Sequence, residues 1–159
     1  MELAIEKIKN VLDVFFHSCH IDDFSIDIKS YDANTRLVIS VSLPTTASIF
    51  IGRFGSNLEA FESVLTDIAN LNGQTTERCR VEFDINGYRL NRQKELQDLA
   101  KKTAQRVMIF KTAVKLEPMS ARDRKIIHNE ISLYPDLNSW SEGEPPNRYI
   151  VIGFRSNSI

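Results

Sequence analysis

Residues 44–73 read PTTASIFIGRFGSNLEAFESVLTDIANLNG, and the fold of the first half of the chain turns on this stretch. Pro44-Thr45-Thr46 breaks whatever strand precedes it and opens a short helix that runs to Ile51. Gly52 and Gly55 interrupt that helix. Leu58, Phe61, Leu65 and Ile68 then recur at helical spacing and mark a second helix, ending near the C-cap pair Asn72-Gly73. Gly52-Arg53-Phe54-Gly55 is therefore a turn between two helices. Glycines lack Cβ, so another backbone can come close to them. A helix starting at about Ser56 turns its free N–H groups and positive dipole end toward the same place, where an anion such as phosphate is favoured. Alone, such a turn is most often only a turn; its setting decides what it means.

Outward from that stretch, the pattern is regular on both sides. Ile5, Ile8, Leu12 and Phe15, with Val11 beside them, predict an amphipathic helix over residues 2–18. Phe24, Ile26 and Ile28 alternate, as do Leu37, Ile39, Val41 and Leu43. With the turn-favouring cluster Asp32-Ala33-Asn34 between them, the two runs predict an antiparallel hairpin. Cys79, Val81, Phe83 and Ile85 give a third strand, closed by Asn86-Gly87. The order is helix, strand, strand, helix, Gly-x-x-Gly turn, helix, strand. Phe15-Phe16 reads as core or interface.

After Gly87 the character changes. Leu96, Leu99, Thr103, Val107 and Phe110 mark a long helix from about Leu90 to Ile109, dotted with Lys and Arg. A short strand fits Val114-Lys115-Leu116. Ser120-Ala121-Arg122-Asp123 reads as a capping box for a helix that carries Ile127 and Ile131 inward. A polar, proline-containing loop is expected from Ser139 to Asn147, with Trp140 packing against the sheet. Ile150, Ile152 and Phe154 form the last strand. The expectation is an α+β protein of two small units, 1–86 and 87–159. In a 159-residue chain, halves of this size are each marginal in core volume.

The net charge of −1 conceals a split. Residues 1–86 hold seven Lys and Arg against thirteen Asp and Glu, a net of −6; residues 87–159 hold thirteen against eight, a net of +5. A basic half hints at a polyanionic partner. The two cysteines, Cys19 and Cys79, have no metal spacing, and the chain opens with no secretory pattern, so free thiols in the cytoplasm are expected. No apolar run approaches the ~18 residues of a membrane span. His17-Ser18-Cys19-His20 crowds ligand types at a helix end, but a metal site needs convergent ligands, and His suits a helix C-terminus. Asp22-Asp23 and Glu142/Glu144 are carboxylate pairs in turns, without a spaced His or Lys partner. No metal, no cofactor and no catalysis are expected.

The cationic candidates lie in Arg124-Lys125-Ile126-Ile127-His128, where Arg124 and His128 share a helix face. A guanidinium fork suits phosphate, and a histidine ring can hydrogen-bond or stack. Arg148, after Pro145-Pro146, is a third candidate. On spacing alone, a helix-surface or core histidine beside a solvated Arg124 is the commoner outcome. The longer strings Leu116-Glu117-Pro118-Met119-Ser120 and Ser141-Glu142-Gly143-Glu144-Pro145-Pro146-Asn147-Arg148, with Arg124 and His128 between them, resemble the single-strand-binding domain named for an Arg-x-x-x-His motif, the R-three-H domain. The first half, with its turn, resembles a type II KH domain. KH followed by R-three-H, with Gly87-Tyr88-Arg89 at the junction, is similar to the Jag/KhpB family, also called SpoIIIJ-associated proteins, without the N-terminal extension many relatives carry.

The resemblance implies a single-stranded RNA-binding protein, with single-stranded DNA an alternative ligand, and a role in bacterial cell elongation, division or envelope growth. It implies that Gly52, Arg53, Phe54 and Gly55 clamp a nucleic-acid backbone, as such loops do, with Ile51 and Leu58 lining an adjacent groove. Arg124, His128, Arg148 and Lys125 would form the second contact, and Arg122, Arg89 and Arg92 would widen its electrostatic footprint. The clamp reads Arg53-Phe54 where relatives usually carry two basic residues. Weak RNA contact or mainly protein contact is therefore expected of the acidic half. The alternative function is an interaction module in which that half joins a second copy or a small KH-domain protein. Phe54 is evenly balanced between stacking on a base and packing under its own loop.

Overall fold

The computed structural model of the chain describes residues 2–31, 35–44, 47–71 and 78–155. Two units emerge, residues 1–89 and 90–159. The first holds α1 (Glu2–Ser18), β1 (Ser25–Tyr31), β2 (Arg36–Ser42), α2 (Ala47–Ile51), a short 3-10 turn (Arg53–Gly55), α3 (Ser56–Asn70) and β3 (Arg80–Ile85). The boundary falls inside α4 (Tyr88–Phe110), and β4 (Val114–Lys115), α5 (Ala121–Ile131), β5 (Leu137–Glu142) and β6 (Tyr149–Phe154) follow. The expected turns at Asp32-Ala33-Asn34, Thr45-Thr46 and Asn72-Gly73 lie outside the described residues.

In the first unit, β2 is the central strand. It pairs antiparallel with β1, from Ser25↔Ser42 to Tyr31↔Arg36, and parallel with β3, from Arg36↔Arg80 to Val41↔Ile85. Parallel neighbours need a crossover connection. Here α2, the Gly-x-x-Gly turn and α3 supply it, so the topology itself places that turn between two helices. The core-facing positions Leu37, Ile39 and Val41 of β2 and Val81, Phe83 and Ile85 of β3 are buried. They meet Ile8, Leu12 and Phe16, one turn apart on α1, and Leu58 and Leu65 on α3. The order and the mixed sheet are those of the type II KH-like fold read from the sequence. Asn86 closes β3 at φ 54°; its side chain accepts from Leu43 N (2.8 Å) and donates to Leu43 O (2.7 Å), extending the parallel ladder by one step.

The paired phenylalanines divide their roles: Phe16 is wholly buried, while half-buried Phe15 packs edge-on to Phe50 and Phe61. At the end of α1, His20 takes a left-handed conformation (φ 59°), and Ile21 N donates to Phe16 O (3.0 Å). His17 turns its Nδ1 to Asp13 O of its own helix (2.7 Å). Among the described residues, no three His, Cys, Asp or Glu side chains converge as a metal set, and no helix is long and apolar enough to cross a membrane.

The second unit is a three-stranded antiparallel sheet in the order β4-β6-β5. Ile150 and Ile152 of β6 are fully buried against Leu96, Ala100, Ala104 and Val107 of α4 and Ile127 and Ile131 of α5. The alanines let α4 sit close to its neighbours. One expectation fails here: the loop drawn from Ser139 to Asn147 begins only after Glu142, because Leu137–Glu142 is strand β5. Its apolar alternation is missing for a physical reason. The positions that continue the buried face of Leu137 are Ser139 and Ser141, and they face a histidine, not a hydrocarbon core.

Candidate nucleic-acid interface

Helix α5 is capped by Ser120, whose side chain accepts from Asp123 N (3.2 Å). That is half of the capping box; Asp123 Oδ2 accepts from Arg92 Nη2 (2.9 Å) and Nε (3.2 Å). Arg124 and His128 follow on one face, each half-buried. Arg124 Nη1 donates to Met119 O (2.9 Å), and Met119 N donates to Arg148 O (3.1 Å). Met119, its side chain buried, thus ties the start of α5 to the residue that opens β6. Arg148 thereby lies near enough for its charge to act on Arg124.

Burial, and then the charge of Arg148, lower the pKa of Arg124. Burial, and then the charge of Arg124, lower that of His128. The imidazole is consequently neutral at pH 7. Its Nδ1 lies 2.7 Å from Ser139 Oγ and its Nε2 3.2 Å from Ser141 Oγ. A neutral ring has one donor and one acceptor nitrogen, and a hydroxyl can serve either. Among the described residues neither Arg124 nor Arg148 forms an ion pair, and Arg148 Nε is buried without a hydrogen-bond partner. Like charges held near each other without a paired carboxylate favour an anion. Lys125, next on the helix, is exposed beside them.

Two cations expected in the footprint belong elsewhere. Arg89 donates through Nε to Phe83 O (2.8 Å) and through Nη2 to Glu62, both within the first unit. Arg92 is held by Asp123 and, more loosely, by Glu95 (3.4 Å). Met119, Ser139 and Ser141 are the residues sequence reasoning missed. The i, i+2 pair of serines beside a helical histidine was the available signal for two of them.

The Gly-x-x-Gly turn is built on positive φ throughout its glycines. Gly52 has φ 72°, and a Cβ there would lie 2.6 Å from Asn57 Cγ; Gly55 has φ 81°. Phe54 also adopts φ 55°, and the exposed Arg53 guanidinium sits 5.1 Å from its ring centroid. No side chain caps the start of α3 at Gly55. Ile51 is half-buried, but Leu58, expected in the groove, is buried in the core at 1% exposure and offers no surface. Its position one turn into α3 points it at the sheet.

Residues 94–153 match the family model of the R-three-H domain. The second unit therefore defines this chain as an R-three-H-domain protein. Curated relatives extend the likeness. The RNA-binding protein KhpB of Bacillus subtilis (strain 168) is 39% identical over 111 residues, 69% of this chain and 52% of that protein. KhpB of Clostridium symbiosum is 29% identical over 153 residues, 96% of this chain and 65% of that protein. KhpB of Streptococcus pneumoniae serotype 2 is 32% identical over 133 residues, 83% of this chain and 40% of that protein. The chain belongs to the Jag/KhpB family. The matches span between 40% and 65% of the length of these relatives.

Proposed function

We propose that this chain binds single-stranded RNA in the cytoplasm and performs no catalytic step. Arg124, Arg148 and Lys125 capture phosphate, and His128 presents a neutral ring beside them. The Gly52–Gly55 turn gives a second, weaker backbone contact through Arg53 and the start of α3. The observation that carries this reading is the pairing of Arg124 with Arg148 around Met119, neither of them in an ion pair among the described residues. Its relatives' name, RNA-binding protein KhpB, agrees with it.

Salt dependence of binding to a labelled single-stranded oligoribonucleotide tests the reading. Affinity should fall with salt by about 0.7 log units per phosphate contact per log unit of salt. With two to four contacts the slope is about −1.4 to −2.8. A salt-independent affinity, or none at low salt, would remove the proposal.

One observation favours a second role for the first unit. A cavity of about 530 Å3 between its helices is lined by Val11, Leu12, Phe15, Phe50, Phe61 and Val64, and Val14, Ile49 and Val64 are exposed. An apolar hollow on an acidic unit fits protein contact with a second copy or a small KH-domain partner. Sedimentation of the full chain at micromolar concentration should give a mass above the monomer's 18.2 kDa, alone or with that partner. A monomer in both mixtures excludes this role.

A further inference from the structure

On β5, Ser139 and Ser141 face His128, so Trp140 stands on the opposite face of the sheet. Its neighbours there follow from the register: Trp140 is opposite Val151, Glu142 opposite Tyr149, and Lys115 on the far side of Val151. The indole lies on Gly153, where a Cβ would come within 3.0 Å of Cη2. Glu142 accepts from Trp140 Nε1 (2.6 Å) and from Tyr149 Oη (2.9 Å), fixing the ring. Val151 beneath is nearly closed off, at 8%, while Trp140 itself is 37% exposed. One face of a pinned indole thus rests on the sheet and the other meets solvent. Lys115, with its Nζ 3.7 Å from the Tyr149 ring centroid, adds a cation to this face.

We infer that Trp140 is a stacking platform for one base of single-stranded RNA, an inference that rests on the proposed function above. The occupant is argued from continuity and charge. Strand β5 is an edge strand, and its alternate residues lead to the Arg124–His128–Arg148 patch on one side and to Trp140 on the other. A single strand passing over that edge places phosphate on the first and a base on the second. The carboxylate of Glu142, which would repel phosphate, is engaged by the indole N–H and the phenol. The ring is already held, so stacking freezes little further motion. Every base has a π-face, so this contact tolerates any sequence.

The chain contains one tryptophan, so its emission reports this face alone. The full chain is titrated at low salt into a short labelled oligouridylate, and separately into an abasic oligomer with the same sugar-phosphate backbone. Anisotropy and tryptophan emission are read together. Emission per mole of protein should lie below that of the free chain in proportion to the bound fraction that the anisotropy gives with oligouridylate, and match the free chain's throughout the abasic titration. Trp140→Ala should weaken binding of the base-containing oligomer about tenfold, and Trp140→Phe about threefold, without changing abasic binding. Saturating anisotropy with unchanged emission, or equal quenching by the abasic oligomer, would overturn the stacking role and leave the phosphate patch intact. Absence of all binding would overturn both. Should Trp140→Ala fail to fold, the unaltered chain's titration decides.

Discussion

Replacing Arg124 and Arg148 together by alanine should weaken binding of single-stranded RNA about fiftyfold and reduce the salt slope by about 1.4. The slope follows from losing two phosphate contacts at about 0.7 each. The affinity follows from two charge-assisted hydrogen-bonded contacts, each contributing on the order of 1–1.5 kcal/mol where solvent still reaches them. Arg124→Lys separates charge from geometry. A lysine keeps the cation but cannot both donate to Met119 O and offer a fork to phosphate, so it should recover only part of the loss. A folded double variant with unchanged affinity would move the binding surface elsewhere.

The same variants carry a titration signature. His128 has its pKa lowered by burial and then by Arg124. Removing the Arg124 charge should raise it toward the ordinary value of about 6.5, visible as a shifted midpoint in the His128 ring resonances. A depressed folded pKa means the unfolded chain binds the proton more readily. The His128 contribution to stability is therefore whole above the unfolded pKa of about 6.5 and is lost as pH falls through the folded one. In Arg124→Ala that loss should shrink.

What the sequence revealed of this protein depended on how far apart the interacting residues lie. The helices and strands with apolar alternation, from Ile5 to Ile85 and from Leu96 to Phe154, are local patterns, and each appears where its period placed it. Strand β5 broke the rule because its inward residues answer to one polar side chain, His128. The face of α5 carrying Arg124 and His128 was legible from four-residue spacing. Arg148 was a candidate from the longer strings alone, since its link to Arg124 runs through the backbone of Met119, which no side-chain spacing marks. Arg89 and Arg92 were equally opaque. Their partners, Glu62 and Asp123, are distant in sequence, and a solvated arginine and a structural one read the same in one dimension.

Asp123 is the residue whose loss should damage the second unit most. It sits at 3% exposure, one position before Arg124, and accepts from two nitrogens of Arg92. Arg92 loses both of its hydrogen bonds to a buried carboxylate if Asp123 becomes alanine, while the longer contact to the exposed Glu95 stays. Breaking a buried pair by removing one partner leaves an uncompensated charge and costs about 3–5 kcal/mol; because the Arg92 side chain is a quarter exposed, about 3 is the better figure here. For a unit of this size that corresponds to a fall of roughly 15 °C in Tm. Asp123→Asn retains hydrogen-bond acceptance and should lose about half as much. The decisive comparison is the double variant Asp123→Leu with Arg92→Met. An apolar pair of similar volume has no charge to strand, so it should be close to the native chain in stability. If the double variant is as unstable as Asp123→Ala, the cost lies in packing around α5 and not in the broken Arg92–Asp123 pair. If it is stable yet binds RNA more weakly, the ion pair's role is to set the first turn of α5, and with it the position of Arg124.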